Sequence, residues 1–341
     1  MRAVRFHEFG GPEVLQVEEV DDPQAGAGQI LVSVKACGLN HLDLFLRAGA
    51  VPNIPMPHIC GSEVAGVVEA VGPGVETPAV GERVAVQPFY FCGTCRWCLR
   101  GEESLCEAAD IAGMMNQGGY AERMVAPASS AVAIPAEVSF EDAAAVTLST
   151  LTAWHMLVGR AKLEAGETLL VVAAASGVGS AAVQIGRLVG ARVLAAASTD
   201  EKLARATQLG ADVTINYTAE NLAEAVDKAT GGRGADVVCE MVGQALWQDA
   251  VASLARGGRL VTCGAHTGGE ASLNIFNLFL QHQSLIGSTG GTRSELATIL
   301  GLVAEGRLQA VVHATYPLEE ARAAQEALAA RAVVGKSLLV P

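Results

Sequence analysis

From Thr168 onward the chain alternates short, almost uninterrupted apolar runs with helical stretches: TLLVVAAA, VGSAAVQIGRLVG, ARVLAAAS, TDEKLARATQLGA, DVTINY, ENLAEAVDKATG, ADVVCEMV, QALWQDAVASLA, GRLVTCGA, NIFNLFLQH and SLIGSTG. Strands that are apolar on both faces cannot lie in a sheet open to water. With helices between them, they demand a parallel sheet covered on both sides. The predicted fold class is therefore α/β, with a Rossmann-type doubly wound parallel sheet as one domain.

The rest of the chain reads differently. Residues 1–128 hold short alternating or β-branched runs punctuated by Gly and Pro, such as QILVSVKACG, EVAGVVEAVG and ERVAVQP, and they predict a mostly β domain. The segment SFEDAAAVTLSTLTAWHML predicts one helix with Ser139 as N-cap and Glu141 and Asp142 in its first turn. The last fifty or so residues (two helices, an extended piece and the final strand GKSLLVP) are expected to return to the β domain, because the parallel sheet is complete without them. The expected division is 1–128 with 290–341 as the first domain, carrying a metal lobe at 90–107, and 129–289 as the second. A length of 341 residues suits two cores better than one.

Composition excludes several classes of partner. A formal net charge of −13 disfavours nucleic acid and anionic membranes, which need a basic face to release counterions. The longest apolar segments carry Gly, Ser or charges and read as buried elements, so no membrane span is expected. The N-terminal MRAVRFHEFGGPEVLQ has no apolar run like that of a secretory signal, which points to the cytoplasm and to reduced thiols.

Four of the eight cysteines, Cys92, Cys95, Cys98 and Cys106, fall in CGTCRWCLRGEESLC. Thiolates at this spacing wrap one tetrahedral zinc and leave it no open position, so one structural zinc per subunit is expected, as a staple and not a catalyst. Cys37, Cys60, Cys239 and Cys263 are scattered among apolar residues and read as small core side chains.

The strand TLLVVAAA runs into Ser176-Gly177-Val178-Gly179 and then a helix, the context of a dinucleotide phosphate turn. Ala174 and Ser176 stand where the first two glycines of the strict pattern would be. At the end of the next strand, where an NAD site places an acid for the ribose 2′-hydroxyl, the chain reads Ala195-Ala196-Ala197 and then Ser198, Thr199 and Lys202. A hydroxyl and an ammonium suit a 2′-phosphate, which favours NADPH over NADH. Asp200 is expected to cap the helix starting at Glu201.

The segments ACGLNHLD, PHICGSEVAGVVEAVG, the cysteine lobe, GGYAE, LTAWHML, ASGVG and GKSLLVP run in this order over essentially the whole chain, and together they resemble the medium-chain dehydrogenase/reductase superfamily. The resemblance implies that the mostly β part is a GroES-like catalytic domain. Zinc alcohol dehydrogenases of that superfamily hold a catalytic zinc with side chains that align with Asn40, Ser62 and about Leu148, none of which is a thiolate or imidazole. Glu63 is retained, Cys37 lies three residues too early to substitute, and Leu42 replaces a common proton-relay hydroxyl. The chain is thus similar to the quinone oxidoreductase-like branch, although it keeps a zinc lobe that many members of that branch lack. By that similarity Asn40 would lie beside the nicotinamide, Tyr217 near the 2′-phosphate, and Thr152 and Lys336 against the cofactor. Val242 and Gly264 complete the cofactor-binding candidates. A metal group of His58, Cys60 and Glu63 is disfavoured, because a strand would point Glu63 away from the other two.

Without a Lewis acid over the reacting centre, an acceptor that spreads its own developing charge is favoured. The expected reaction is NADPH-dependent hydride transfer to quinones or α,β-unsaturated ketones or aldehydes, in a cleft between the domains. His41 is the candidate proton source, directly or through water, with solvent as the alternative. Asp43 is expected to fix its loop, while Tyr90 and Tyr120 have no assigned place. Three rival readings stay open: a zinc-dependent alcohol dehydrogenase, a non-enzymatic NADPH-binding protein of the same fold, and an enoyl-thioester reductase, ranked lower because no Lys/Arg cluster for a coenzyme A phosphate is visible. A homodimer pairing through SLIGSTG is expected, with a tetramer as the alternative.

Overall fold

The computed structural model describes residues 1–341. The chain divides into two compact units, Met1–Leu151 with Gly290–Pro341, and Thr152–Thr289.

The first unit is built on a seven-stranded sheet. Its order is Val312–Pro317, Lys336–Val340, Gln29–Gly38, Glu63–Val71, Arg83–Val86 and Ala131–Ala133, with Arg123–Pro127 also pairing with Gln29–Gly38. The long strand Gln29–Gly38 is the spine, since it is antiparallel to Glu63–Val71, to Arg123–Pro127 and to the C-terminal strand. The core around it includes Phe6, Ile30, Leu39, Leu46, Tyr120 and Met124. The last strand pairs Leu338 with Gly38 and Leu339 with Cys37, so the chain's end does return to this unit. That pairing places Lys336 near the start of the next loop. A short ribbon of Phe89–Tyr90 and Asp110–Ile111 brackets the cysteine lobe.

The second unit holds a six-stranded sheet in the order Val213–Asn216, Arg192–Ala197, Thr168–Val172, Ala235–Glu240, Leu254–Thr262 and Ser284–Gly287. Every neighbouring pair is parallel. Strand Thr168–Val172 is wholly buried, as its unbroken apolar sequence requires. In chain order this is 3-2-1-4-5-6, so the direction of winding reverses between Thr168–Val172 and Ala235–Glu240, and ligands of such sheets bind at the strand carboxyl ends there.

Two differences from the sequence reading have physical causes. The helix expected over Ser139–Leu157 is three pieces: Phe140–Val146, Ser149–Trp154, and a π-helical turn His155–Arg160. Ser139 caps the first as expected, its hydroxyl accepting from Asp142 N at 3.0 Å. The break follows because the N–H groups of Leu148 and Ser149 donate to the Glu63 carboxylate at 3.1 and 2.8 Å instead of to the preceding turn. The helix Phe140–Val146 also packs on Gln29–Gly38 and Glu63–Val71, and its small apolar residues Ala143, Ala144, Ala145 and Val146 are all buried. Residues 129–151 therefore cluster with the first unit, whereas the sequence reading began the second domain at 129.

Candidate functional site

The cysteine lobe is a preformed cage. The ligand atoms of Cys92, Cys95, Cys98 and Cys106 all lie within 4.8 Å of one another, and they form the one group of three or more His, Cys, Asp or Glu side chains placed to hold a metal. The Sγ atoms of Cys95 and Cys98 are 3.5 Å apart and those of Cys92 and Cys98 3.9 Å. Zinc–sulfur bonds of about 2.3 Å arranged tetrahedrally require edges of about 3.8 Å, so the four sulfurs fit a structural zinc. Local backbone prepares the thiolates: N–H groups of Thr94 and Cys95 hold the Cys92 thiol down to about 6, and those of Cys98 and Glu107 lower Cys95. The alternative cluster does not converge. His58 Nε2 bonds to the Gly113 carbonyl, the Cys60 thiol faces the Asp43 carbonyl, and Glu63 is paired elsewhere.

Of the three positions aligned with catalytic zinc ligands, Asn40 and Ser62 have their side chains engaged elsewhere and Leu148 offers only an apolar one. The buried Ser62 hydroxyl donates to the Ala112 carbonyl at 2.6 Å. Asn40 Oδ1 accepts from the Lys336 ammonium at 2.7 Å. Lys336 Nζ also pairs with Glu63 Oε2 at 2.7 Å and donates to the Leu39 carbonyl. Glu63 is fully buried, and its other oxygen takes the N–H groups of Leu148 and Ser149, so one carboxylate and one ammonium tie residues 39, 40 and 148 into a single cluster. Lys336, expected against the cofactor, turns its ammonium into this cluster.

Asp43 fixes the loop that presents Asn40, as the sequence reading expected. Its carboxylate accepts from Asn40 N at 2.7 Å, Gly61 N at 3.1 Å and the Tyr120 hydroxyl at 3.0 Å. Complete burial pushes the carboxyl up to about 6 against those lowering bonds. Gly61 needs its bare backbone: at φ +108, a Cβ there would sit 2.5 Å from the Tyr120 ring and 2.7 Å from Cys37 Sγ. His41 begins the helix His41–Arg47 directly after Asn40 and is half-buried.

In the second unit, the turn after Thr168–Val172 leads into helix Gly177–Val189, capped by Ser176, whose hydroxyl accepts from Gly179 N at 3.0 Å and donates to the Met241 sulfur at 3.3 Å. Gly179 lets helix and strand touch, since a Cβ would lie 2.2 Å from the Ala173 carbonyl. Gly264 stands against the Met241 carbonyl, and Val242 N donates to Glu240. The turn, Val242 and Gly264 thus gather at the carboxyl edge where the winding reverses, a fit for a dinucleotide pyrophosphate. Beside it, the Thr218 hydroxyl donates to the Ser198 carbonyl and Tyr217 N to that of Ala197, which brings the ends of two strands together. Thr199, not Asp200, caps the helix Asp200–Gln208, accepting from Lys202 N; the Asp200 carboxylate instead takes Asn216 Nδ2 at 2.9 Å. Thr152 is buried on Ser149–Trp154.

Sequence reasoning missed Glu240. Fully buried and pushed up by that burial, it accepts from the N–H groups of Val242 and Gly243 at 2.6 and 2.7 Å and from the Thr262 hydroxyl at 3.1 Å, shaping the loop at the switch point. The available signal was one acid closing the apolar run ADVVCE. Tyr120 was seen without a place; it is the buried donor to Asp43.

A Rossmann-type sheet whose first strand turns through Ser176-Gly177-Val178-Gly179 into a helix, next in sequence to a β unit bearing a four-cysteine lobe, matches the architecture of nucleotide-dependent oxidoreductases. The family models for an alcohol dehydrogenase GroES-like domain and a zinc-binding dehydrogenase match residues 26–136 and 177–305. An alcohol dehydrogenase of Geobacillus stearothermophilus is 39% identical over 94% of this chain and 93% of its own. Quinone oxidoreductase 1 of Escherichia coli is 33% identical over 99% of each chain. The crystal structure of an NAD-dependent alcohol dehydrogenase superposes with a TM-score of 0.96 at 43% identity, covering 100% of both chains. The chain belongs to the medium-chain dehydrogenase/reductase superfamily, with a GroES-like domain and a Rossmann-type domain. No helix is long and apolar enough to cross a membrane.

Proposed function

We propose that this protein is an NADPH-dependent reductase of quinones or α,β-unsaturated ketones and aldehydes that works without a catalytic zinc. The observation that carries the reading is chemical. The positions that would ligate such a zinc are Asn40, Ser62 and about Leu148, and the neighbouring acid, Glu63, has its charge met by Lys336 at 2.7 Å. A lysine already supplies the cation that this buried carboxylate needs.

Ser176, Gly177, Val178, Gly179, Val242 and Gly264 hold the dinucleotide, with Thr152 beside them. Ser198, Lys202 and Tyr217 take the 2′-phosphate, where Ala197 offers no carboxylate to a ribose hydroxyl. The bound cofactor supplies a hydride. Asn40 receives the acceptor, Lys336 contributes through Asn40, and His41 returns the proton, alone or through water. The lobe's zinc is structural, and the working compartment is the cytoplasm. The protein works as a homodimer through a second copy of this chain: Ile275, Phe276 and Phe279, 69%, 62% and 56% exposed, lie on the helix just before the edge strand Ser284–Gly287, an apolar surface next to unpaired backbone.

The names of the relatives favour a second reading, an alcohol dehydrogenase. Steady-state turnover of a quinone, enone and alcohol panel with NADPH and NADH, on protein whose zinc has been quantified, separates the two. One zinc per chain with quinone or enone reduction is expected. Two zincs with alcohol oxidation would establish the other.

A further inference from the structure

The Asn40 side chain presents a mismatch that its neighbours explain. Its Oδ1 accepts from Lys336 Nζ at 2.7 Å, while its Nδ2 is buried with no hydrogen-bond partner. A buried amide donor left unpaired is costly, and such groups call for a reason. An ammonium only donates, so the oxygen end of the carboxamide must face Lys336 and the NH₂ end must face away. Lys336 cannot relax this arrangement. Its ammonium donates to Asn40 Oδ1 and the Leu39 carbonyl and is ion-paired with Glu63 Oε2 at 2.7 Å. Glu63 in turn is held by the N–H groups of Leu148 and Ser149, and Asn40's own N–H by Asp43 at 2.7 Å. The amide is therefore fixed in place and in sense by a chain of buried bonds, with its donor kept free.

We propose that Asn40 Nδ2 is the hydrogen-bond donor to the acceptor's oxygen, and that Lys336 is the positioning residue that sets the sense of the amide. The inference rests on the reductase reading above. When hydride adds to the conjugated carbon, the displaced electron pair moves through the π system onto the carbonyl oxygen, and a proton then closes the product. A donor already desolvated and held in sense by its neighbours needs little reorganisation as that charge appears, so it stabilises the transition state more than the ground state. Lys336 is held by two hydrogen bonds and the Glu63 ion pair, which makes it a support for Asn40 and not the acid.

The test compares Asn40→Asp, Lys336→Arg and the charge-balanced double variant Lys336→Met with Glu63→Gln, each first checked for a native melting transition. Asn40→Asp keeps shape and the Lys336 pair but replaces the donor by an acceptor; kcat for an enone should fall about 100-fold with the NADPH KM unchanged. The double variant frees the amide to flip and should lose about tenfold in kcat, whereas Lys336→Arg, still a donor-only cation, should keep most of it. An Asn40→Asp enzyme within about threefold of wild type in kcat overturns the proposal. A wild type inert on the whole panel instead overturns the reductase reading, and binding then decides the role of Asn40. At alkaline pH, 4-nitrophenolate, an oxyanion probe, should bind wild type about tenfold tighter than Asn40→Asp while neutral 4-nitrotoluene binds both alike. Equal phenolate affinity overturns the proposal without any turnover.

Discussion

The Tyr120 hydroxyl donates to the Asp43 carboxylate at 3.0 Å, and both side chains are fully buried. Through Asp43 this bond reaches Asn40 N and Gly61 N, so one acid sets the loop that carries the candidate acceptor site. Replacing Tyr120 by Phe removes a buried donor and should cost about 1–3 kcal/mol in urea unfolding. Enone KM should rise with it, because the Asn40 loop loses a support.

Asp43 also gives stability a pH dependence of known sign. Its carboxyl lies near 3.8 when unfolded and is pushed up to about 6 by burial in the folded chain. Below the unfolded value both states hold the proton and the contribution is complete; between the two, only the folded state does, so stability falls as pH rises. The loss totals about 3 kcal/mol and levels off above the folded value. Urea midpoints measured from acid to neutral pH should show this decline in wild type. Asp43→Asn, less stable at acid pH through its lost acceptors, should lack that slope.

Glu63→Gln preserves an oxygen for the N–H groups of Leu148 and Ser149 but leaves the Lys336 ammonium buried without its counter-charge. Lys336 is 6% and Glu63 0% exposed at the side chain, so water cannot take over. A destabilisation of about 3–5 kcal/mol is expected in urea unfolding. A loss below about 1 kcal/mol would place the pair among solvent-screened surface bridges.

The cysteine lobe predicts one zinc per chain by elemental analysis. The double substitution Cys95→Ser with Cys98→Ser should abolish it and lower the melting temperature by several degrees, since each kcal/mol lost is worth about 1–2 °C for a chain of 341 residues. Hydride transfer per folded molecule should survive, because four thiolates would leave a bound zinc no open position.

Cofactor choice should follow Ala197. Placing a carboxylate there, Ala197→Asp, supplies an acceptor for a ribose hydroxyl and a repulsion for a 2′-phosphate. The ratio of kcat/KM for NADPH over NADH should drop by about 10- to 100-fold, equivalent to about 1.4–2.7 kcal/mol. An unchanged ratio would remove Ser198, Lys202 and Tyr217 from the phosphate site.

Much of this protein was legible in its sequence because the deciding patterns are local. The parallel sheet follows from apolar runs separated by helices, the cysteine cage from four thiols in one lobe, and the capped turn from strand into helix from Ser176-Gly177-Val178-Gly179 at a strand end. Each is fixed by neighbours within a few residues, where backbone periodicity and ligand spacing leave few alternatives. What the tertiary structure alone decided depends on groups far apart in the chain: Lys336 turned onto Glu63 and Asn40, Glu63 interrupting a helix at Leu148, and Glu240 gathering its loop. A buried charge takes whichever partner the fold brings within reach, and that partner is chosen by the packing of strands distant in sequence. The residue types at the site were therefore readable in advance, whereas which of them hold one another was settled only by folding.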